Sequence, residues 1–193
     1  MIPDKSASLK SKFEFGFVRQ GEFFQIPIEE LSRKIPAVKD FAYTWRFWQN
    51  WEKYPPVVAY SGKIVYGFLA ITNSISGYLN LYYIATNPEH RGQGIAKDMF
   101  DFYLQNLPPM RYRRMKIRTT KDADGEKFFR SFGFKPFLLV ETKPKHFEYF
   151  WNVDLGYSRS VKEVIERQKD KTQPIPLGEI EKIIKKYPDA RLL

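Results

Sequence analysis

Asn87-Pro88-Glu89-His90-Arg91-Gly92-Gln93-Gly94-Ile95-Ala96-Lys97 joins an apolar segment to an amphipathic one. Upstream, the aromatic and aliphatic content of Tyr78–Thr86 reads as a strand. Downstream, Ile95, Met99, Phe102, Tyr103 and Leu107 recur at helical spacing through Gly94–Leu107, and Pro108-Pro109 stop the helix. Between the two, Gly92, Gly94 and Ala96 keep side chains away, so consecutive backbone N–H groups can approach an anion. The helix N-terminus adds about half a positive charge at the same place. Arg91 and Lys97 supply formal charge beside it, and Arg91, Gly92, Gln93, Gly94, Ile95, Ala96 and Lys97 together read as a pyrophosphate cradle. This is no Walker loop, since no Gly-Lys-Ser/Thr follows, and the spacing is not that of a dinucleotide fingerprint.

Working outward, Phe13–Gln20 reads as a short strand, and Ile28–Lys34 and Pro36–Tyr54 as helices. Pro36 sits in a first turn, where its missing N–H is harmless. Phe41, Tyr43, Trp45, Phe47, Trp48 and Trp51 crowd the second helix on two faces, as core packing, an acceptor wall or a stacking surface. Val57–Tyr60 and Lys63–Thr72 form a hairpin about Ser61-Gly62. Arg111–Thr119 is a strand, Ala123–Phe132 a helix closed by Gly133, and Phe137–Thr142 with His146–Asp154 a last hairpin. The helix between Tyr78–Thr86 and Arg111–Thr119 makes those strands parallel neighbours. The expected class is α/β (α+β), with a mixed, mostly antiparallel twisted sheet flanked by helices. After Gly156 the chain turns polar, with helices over Ser160–Lys171 and Leu177–Tyr187. The expected organisation is a domain over 1–155 and a basic helical C-terminal appendage, packed or mobile, over 156–193.

Composition narrows the function. With 43% of 193 residues hydrophobic, the chain can fill a core, and disorder throughout is excluded. The absence of cysteine excludes a disulfide scaffold, a cysteine-ligated zinc site and a thiol nucleophile, and two distant histidines offer no metal-ligand spacing. No apolar run reaches membrane-spanning length, and a cytoplasmic location is expected. The net charge is +10. Residues 71–110 hold 2 basic and 3 acidic residues, whereas residues 111–155 hold 11 and 6. The excess is densest at Arg111, Arg113, Arg114, Lys116, Arg118 and Lys121. Those residues read either as a solvated strand edge or as a phosphate-facing patch for nucleic acid, with Tyr112 available for stacking.

Arg91-x-x-Gly94-x-Ala96 resembles the Gln/Arg-x-x-Gly-x-Gly/Ala motif of the GNAT superfamily of acyl-CoA-dependent N-acyltransferases. Its flanks are similar too: Lys63-Ile64-Val65-Tyr66-Gly67 and Ile84-Ala85-Thr86-Asn87-Pro88 before the motif, and Gly125-Glu126-Lys127-Phe128-Phe129-Arg130-Ser131-Phe132-Gly133-Phe134 after it. The resemblance spans Val57–Asp154. It implies that the strand matching Tyr78–Thr86 splays from the strand matching Arg111–Thr119. It further implies that the pantetheine of acetyl-CoA or another acyl-CoA pairs with Ile84, Ala85 and Thr86, where a backbone N–H polarises the thioester carbonyl. The pyrophosphate then rests on Arg91 through Lys97, Asp122 stands where an asparagine commonly contacts CoA, and Phe129 stands where a tyrosine commonly protonates the leaving sulfur.

The chain departs from that pattern at three positions. Phe129 cannot donate a proton, and Asn80 and Ile117 occupy positions where a glutamate base is often found. Replacement acid–base candidates are Tyr82, which alternation puts on the face of Asn80 and Ile84, and Asp122 and Asp124, which stand where carboxylates usually cap a helix. Glu89 and His90 precede the cradle, and His146 and Glu148 begin the hairpin that lines the acceptor side in relatives. A lysine amine, with a pKa near about 10.4, must first lose a proton, whereas an α-amine near about 7.7–8.0 is partly neutral already and a nucleobase amine is uncharged. The expected function is acyl transfer from acyl-CoA to an amine, the acceptor a nucleic acid base or nucleic-acid-linked amine. The alternatives are a protein N-terminal or small-amine acetyltransferase, and a non-catalytic nucleic-acid-binding module on the same fold.

Overall fold

Along the chain the elements are β1 (Glu14–Phe17), α1 (Gln25–Arg33), β2 (Val57–Ser61), β3 (Ile64–Asn73), β4 (Tyr78–Thr86), α2 (Ile95–Asn106), β5 (Arg114–Thr120), α3 (Asp124–Ser131), β6 (Pro136–Lys143), β7 (His146–Asp154), α4 (Val161–Lys169), α5 (Leu177–Lys186) and β8 (Arg191–Leu192). They come from a computed structural model that describes residues 12–19, 23–35, 54–73, 78–107, 114–169 and 177–193. The expected helix over Pro36–Tyr54, with Trp45, Trp48 and Trp51, lies outside the described residues apart from Tyr54, as do Arg111, Tyr112 and Arg113. The strands form one sheet in the order β1-β2-β3-β4-β5-β7-β6-β8. Every pairing is antiparallel except β4 with β5, the parallel pair that the intervening helix demands. No helix among the described residues is long and apolar enough to cross a membrane.

Strand alternation sorts the interior into two layers. Val57, Leu69, Leu79, Leu81, Met115, Ile117, Trp151 and Val153 pack with Ile95, Met99, Phe100 and Leu104 of α2 on one face. Val58, Phe68, Ala70 and Ala85 pack with Ile28 and Leu31 of α1 on the other. β5 lies between β4 and β7, so of the two readings of its cations the solvated sheet edge is excluded. Arg114, Lys116 and Arg118 are there because Met115, Ile117 and Thr119 alternate with them into the core, which turns all three to the α1 face of an interior strand.

The sheet is divided between its two parallel strands. β4 and β5 pair only from Tyr78 opposite Arg114 to Leu81 opposite Ile117. Beyond that point β4 stays with β3 as far as Thr86, and β5 stays with β7 as far as Thr120. The parting coincides with a bulge: Ala70 of β3 faces Tyr83 and Ile71 faces Leu81, leaving Tyr82 as the extra residue of β4. A bulge bends its strand and breaks the alternation. Ile84 therefore packs with the α2-side core, to which Leu81 belongs, and the expected shared face of Asn80, Tyr82 and Ile84 is corrected.

The segment after Gly156 folds back onto this framework. Val161 and Val164 of α4 are fully buried in the α2-side core, and the Val161 N–H donates to the Asp101 carboxylate of α2. The Arg159 guanidinium donates to the carbonyls of Gln105 (3.2 Å) and Leu107 (2.8 Å), closing the C-terminal end of α2. β8 adds a short antiparallel strand to β6.

Helix α2 lies directly on Gly67 of β3. A Cβ there would stand 2.9 Å from both the Ala85 carbonyl oxygen and Met99 Cε. The oxygen is backbone and yields only if β4 moves. Gly67→Ala is expected to cost about 1–3 kcal/mol of stability, read as a lower urea midpoint; an unchanged midpoint would mean that β4 and α2 can separate freely.

Candidate functional site

At the end of β4, the Asn87 N–H donates to the Tyr66 carbonyl (2.7 Å), and Asn87 Oδ1 accepts the Glu89 N–H (3.2 Å). These bonds fix a short 3-10 turn over Pro88–His90 that delivers the chain to Gly92. Gly92 and Gly94 have φ of 78° and 81°, the left-handed region, and a Cβ added at Gly92 would meet nothing within 4 Å. The first intrahelical bond of α2 runs from the Asp98 N–H to the Gly94 carbonyl (3.0 Å), so the N–H groups of Ile95, Ala96 and Lys97 point out of the helix end unused by it. An open turn, bare of side chains and lined by spare donors at a positive helix end, suits a pyrophosphate.

The charged residues around the turn are engaged with one another. Arg91 Nη1 donates to Asp124 Oδ2 of α3 at 2.6 Å, and Lys97 Nζ donates to Asp101 Oδ2 at 2.6 Å. Asp98, in the first turn of α2, has its pKa raised by burial, an effect that Lys97 partly offsets. Asp122 adopts φ 62°, and its N–H donates to Glu126 Oε2 (2.6 Å), whose other oxygen accepts from Arg130 Nε (2.6 Å). Its exposed position just before α3 leaves the carboxylate close in sequence to Asp124 at the first turn of that helix. Phe129 is 1% exposed and packed against Phe134 and Trp151. The expectation that its ring contacts a cofactor is corrected, because it offers no surface.

The opening between β4 and β5 is flanked by Tyr82, Ile84, Ala85 and Thr86 on one side and by Arg118 on the other. Ile84 and Ala85 turn their side chains into opposite cores, so what they present to the opening is a backbone edge without a ladder partner on β5. Tyr82 is 55% exposed. Tyr83 beside it is half-buried, and burial raises its hydroxyl pKa, with Tyr82 adding to the rise and Arg118 opposing it.

Sequence reasoning missed the polar network on the β5 side. Arg118 donates through Nε to Glu148 Oε2 (2.8 Å) and lies 5.0 Å over the ring of Phe150. The other oxygen of Glu148 is 3.4 Å from His146 Nε2 and accepts from Thr142 Oγ1 at 3.3 Å. Thirty residues separate Arg118 from Glu148, and only the antiparallel register of β5 on β7, pairing Thr120 with Glu148, brings them together. Lys116 sits 4.2 Å over the ring of Tyr78, and Lys121 sits 5.7 Å over that of Phe147.

The sheet thus opens between its two parallel strands, with a glycine turn and a helix N-terminus at the opening. Residues 46–136 match the family model of the acetyltransferase (GNAT) domain. The chain carries a GNAT acetyltransferase domain, and enzymes of this class move an acetyl group from acetyl-CoA to an amine. No curated protein matches the chain at the sequence level. Among solved structures, a GNAT-family acetyltransferase from Bacillus cereus is 14% identical over 74% of this chain and 96% of its own, with a TM-score of 0.60. The ribosomal-protein-S18-alanine N-acetyltransferase from Escherichia coli is 11% identical over 75% and 94%, also at 0.60. Arabidopsis thaliana Naa50, in complex with the bisubstrate analogue CoA-Ac-MVNAL, is 15% identical over 72% and 97%, at 0.57. At these identities the likeness is one of fold.

Two outcomes follow from the geometry. Gly94→Val puts a branched side chain on a left-handed residue in the turn, and is expected to weaken CoA binding at least tenfold by titration calorimetry while leaving the circular dichroism spectrum unchanged; undiminished affinity would remove the turn from the binding site. Phe129→Tyr buries a hydroxyl among aromatic rings and is expected to lower stability by about 1–3 kcal/mol in chemical denaturation, whereas an unchanged midpoint would show that the hydroxyl reaches a partner.

Proposed function

We infer that the chain transfers an acetyl group from acetyl-CoA to an α-amine, either a peptide N-terminus or a small primary amine, which approaches the opening beside Tyr82 and Tyr83. The observation that carries this reading is the charge pairing at the mouth. Arg118, beside the opening, is bonded to Glu148, so the mouth carries a neutralised pair rather than a free cation, which suits a neutral amine better than a phosphate. A nucleic-acid acceptor, expected from the charge of the segment, lacks comparable support: Arg118 is paired and Lys116 is stacked on a ring. Two of the fold relatives described above are named for, or bound to, peptide-type acceptors, which agrees with an amine of this kind.

The parts divide as follows. The turn from Arg91 to Lys97 holds the phosphates, and the bond to Asp124 ties the Arg91 side chain to α3. The open edge of Ile84, Ala85 and Thr86 aligns the pantetheine. Acetyl-CoA, when bound, supplies the activated acetyl thioester. Tyr83, with its pKa raised, keeps its proton through neutral pH and is the candidate donor to the departing sulfur. Tyr82 at the bulge and Asp122 before α3 are the remaining polar candidates near the reacting groups. With no carboxylate at positions 80 and 117, the acceptor must arrive partly neutral, as an α-amine does.

The test offers radiolabelled acetyl-CoA with a lysine-free peptide, a peptide with a blocked N-terminus and one lysine, a small primary amine, and single-stranded DNA. Label is expected on the free α-amine. kcat/KM is expected to be half-maximal near the acceptor pKa of about 7.7–8.0 and to level off by about pH 9, with no falling limb near neutrality, because burial raises the Tyr83 pKa. Label on DNA or on the lysine side chain alone would overturn the α-amine reading, and a falling limb near neutrality would remove Tyr83 as the acid.

A further inference from the structure

The carboxylate of Asp101 in α2 joins the phosphate turn to the C-terminal segment. Its Oδ2 accepts from Lys97 Nζ at 2.6 Å, and its Oδ1 accepts the N–H of Val161, the first residue of α4. The two donors differ in how firmly they are held. Val161 is fully buried beside Val164 in the α2-side core, so packing fixes its N–H against Asp101. The Lys97 side chain is 46% exposed, and its other carboxylate neighbour, Asp98 Oδ1, is 3.9 Å away. The Asp101 side chain is only 17% exposed. Lys97 is the movable partner of a carboxylate that is otherwise held in place. Direction matters too. Asp101 lies four residues beyond Lys97, about 6 Å along the helix axis, on the side away from Gly92 and Gly94. A lysine bonded to Asp101 is drawn back from the turn, and must release that bond to meet an anion there.

We propose that Asp101 is a positioning residue that couples the docking of α4 to the binding of CoA. It holds Lys97 back from the turn, gives it up to a phosphate, and then rests on the N-terminus of α4. The proposal depends on the assignment of the turn to the CoA phosphates and not on the acceptor. An ionised carboxylate stripped of its partner in a mostly buried place is costly. Asp101 escapes that cost, because the Val161 N–H and the positive end of α4 stay beside it when Lys97 moves. The Val161 N–H is one of the first donors of a helix, which have no partner within it. Ser160 Oγ takes the Glu163 N–H at 3.2 Å, and Asp101 takes that of Val161. Once Lys97 no longer shares its charge, the carboxylate draws the Val161 N–H more strongly and tightens the first turn of α4. Such coupling is reciprocal, so a docked α4 favours CoA by as much as CoA favours the docked α4.

The experiment is a double-mutant cycle of Asp101→Asn and Lys97→Met in the full chain. It is read by titration calorimetry with CoA and by hydrogen exchange over Val161–Lys169. Asp101→Asn keeps an oxygen for the Val161 N–H but has no charge to hold Lys97. It is expected to bind CoA about fivefold more tightly than wild type, while melting no higher. A merely structural Asp101 would lower the melting temperature and leave the affinity unchanged or weaker. Lys97→Met is expected to bind CoA more weakly, and adding Asp101→Asn to it is expected to change nothing further. Simple repulsion between Asp101 and the phosphates would instead tighten binding in both backgrounds. In the wild type, CoA is expected to slow exchange across α4, and in either single variant that slowing is expected to vanish. An additive cycle overturns the proposal, as does an Asp101→Asn variant that binds no more tightly, or exchange in α4 that ignores CoA. If CoA binds and Gly94→Val weakens it while the cycle is additive, the turn assignment stands and this proposal falls. If the wild type does not bind CoA, both fall.

Discussion

A strand in the interior of a sheet must satisfy hydrogen bonds on both edges, and β4 does so only as far as Leu81. The extra residue at Tyr82 bends the strand toward β3 while β7 holds β5 in line, and one edge of Tyr82–Thr86 is left without a neighbour on β5. Such an edge is a liability in most sheets, because it recruits other strands. In this chain it lies beside a helix N-terminus. The crossover from β4 to β5 passes through α2, so the geometry that opens the slot also brings the positive end of a helix to it. Slot and cradle are two consequences of a single parallel crossover that is allowed to diverge.

What keeps the cradle in place is apolar packing. The Arg91–Asp124 pair joins α2's entry to α3, but its side chains are 46% and 71% exposed, and such pairs contribute about 0–1 kcal/mol. Ile95, Met99, Phe100 and Leu104 are at most 2% exposed, and burying each contributes on the order of 1.5–3 kcal/mol. Close approach to Gly67 adds shape to that burial, and the C-terminal segment holds the opposite end of the helix through Arg159, Asp101 and the side chains of α4. The ion pairs orient charges, and the core sets where the helix lies.

The parts legible in the sequence were those governed by local rules. Helical spacing marked α2, the glycines marked the turn, and the crossover implied the parallel pair. The bulge was not legible, because Tyr82 and Tyr83 have the same character and a one-residue slip leaves the composition of the strand unchanged; its signature is a pairing with β3, not a property of β4 alone. The surroundings of Phe129 and Arg118 were hidden for a similar reason. Phe129 reads as a substituted acid until Phe134 and Trp151 are seen around it, and Arg118 reads as a free cation until the β5–β7 register brings Glu148 to it. Net charge counts residues, whereas a partner meets only those that folding leaves unpaired.

The two positions without a glutamate are now unequal. Ile117 is 1% exposed in the α2-side core, so a carboxylate there would be buried among aliphatic and aromatic side chains, away from the face that carries the mouth network. Asn80 is on the mouth face, directly across from Lys116. A carboxylate at that position would stand within cross-strand reach of an ammonium, which favours the ionised form and lowers its pKa. A base weakened in this way deprotonates an amine poorly. With Lys116 in place, a glutamate at position 80 would bring charge neutralisation but little basicity, whereas an asparagine keeps hydrogen-bonding capacity without the cost of a coupled charge. The missing base and the lysine opposite it are therefore parts of one arrangement, which suits an acceptor that arrives already able to react.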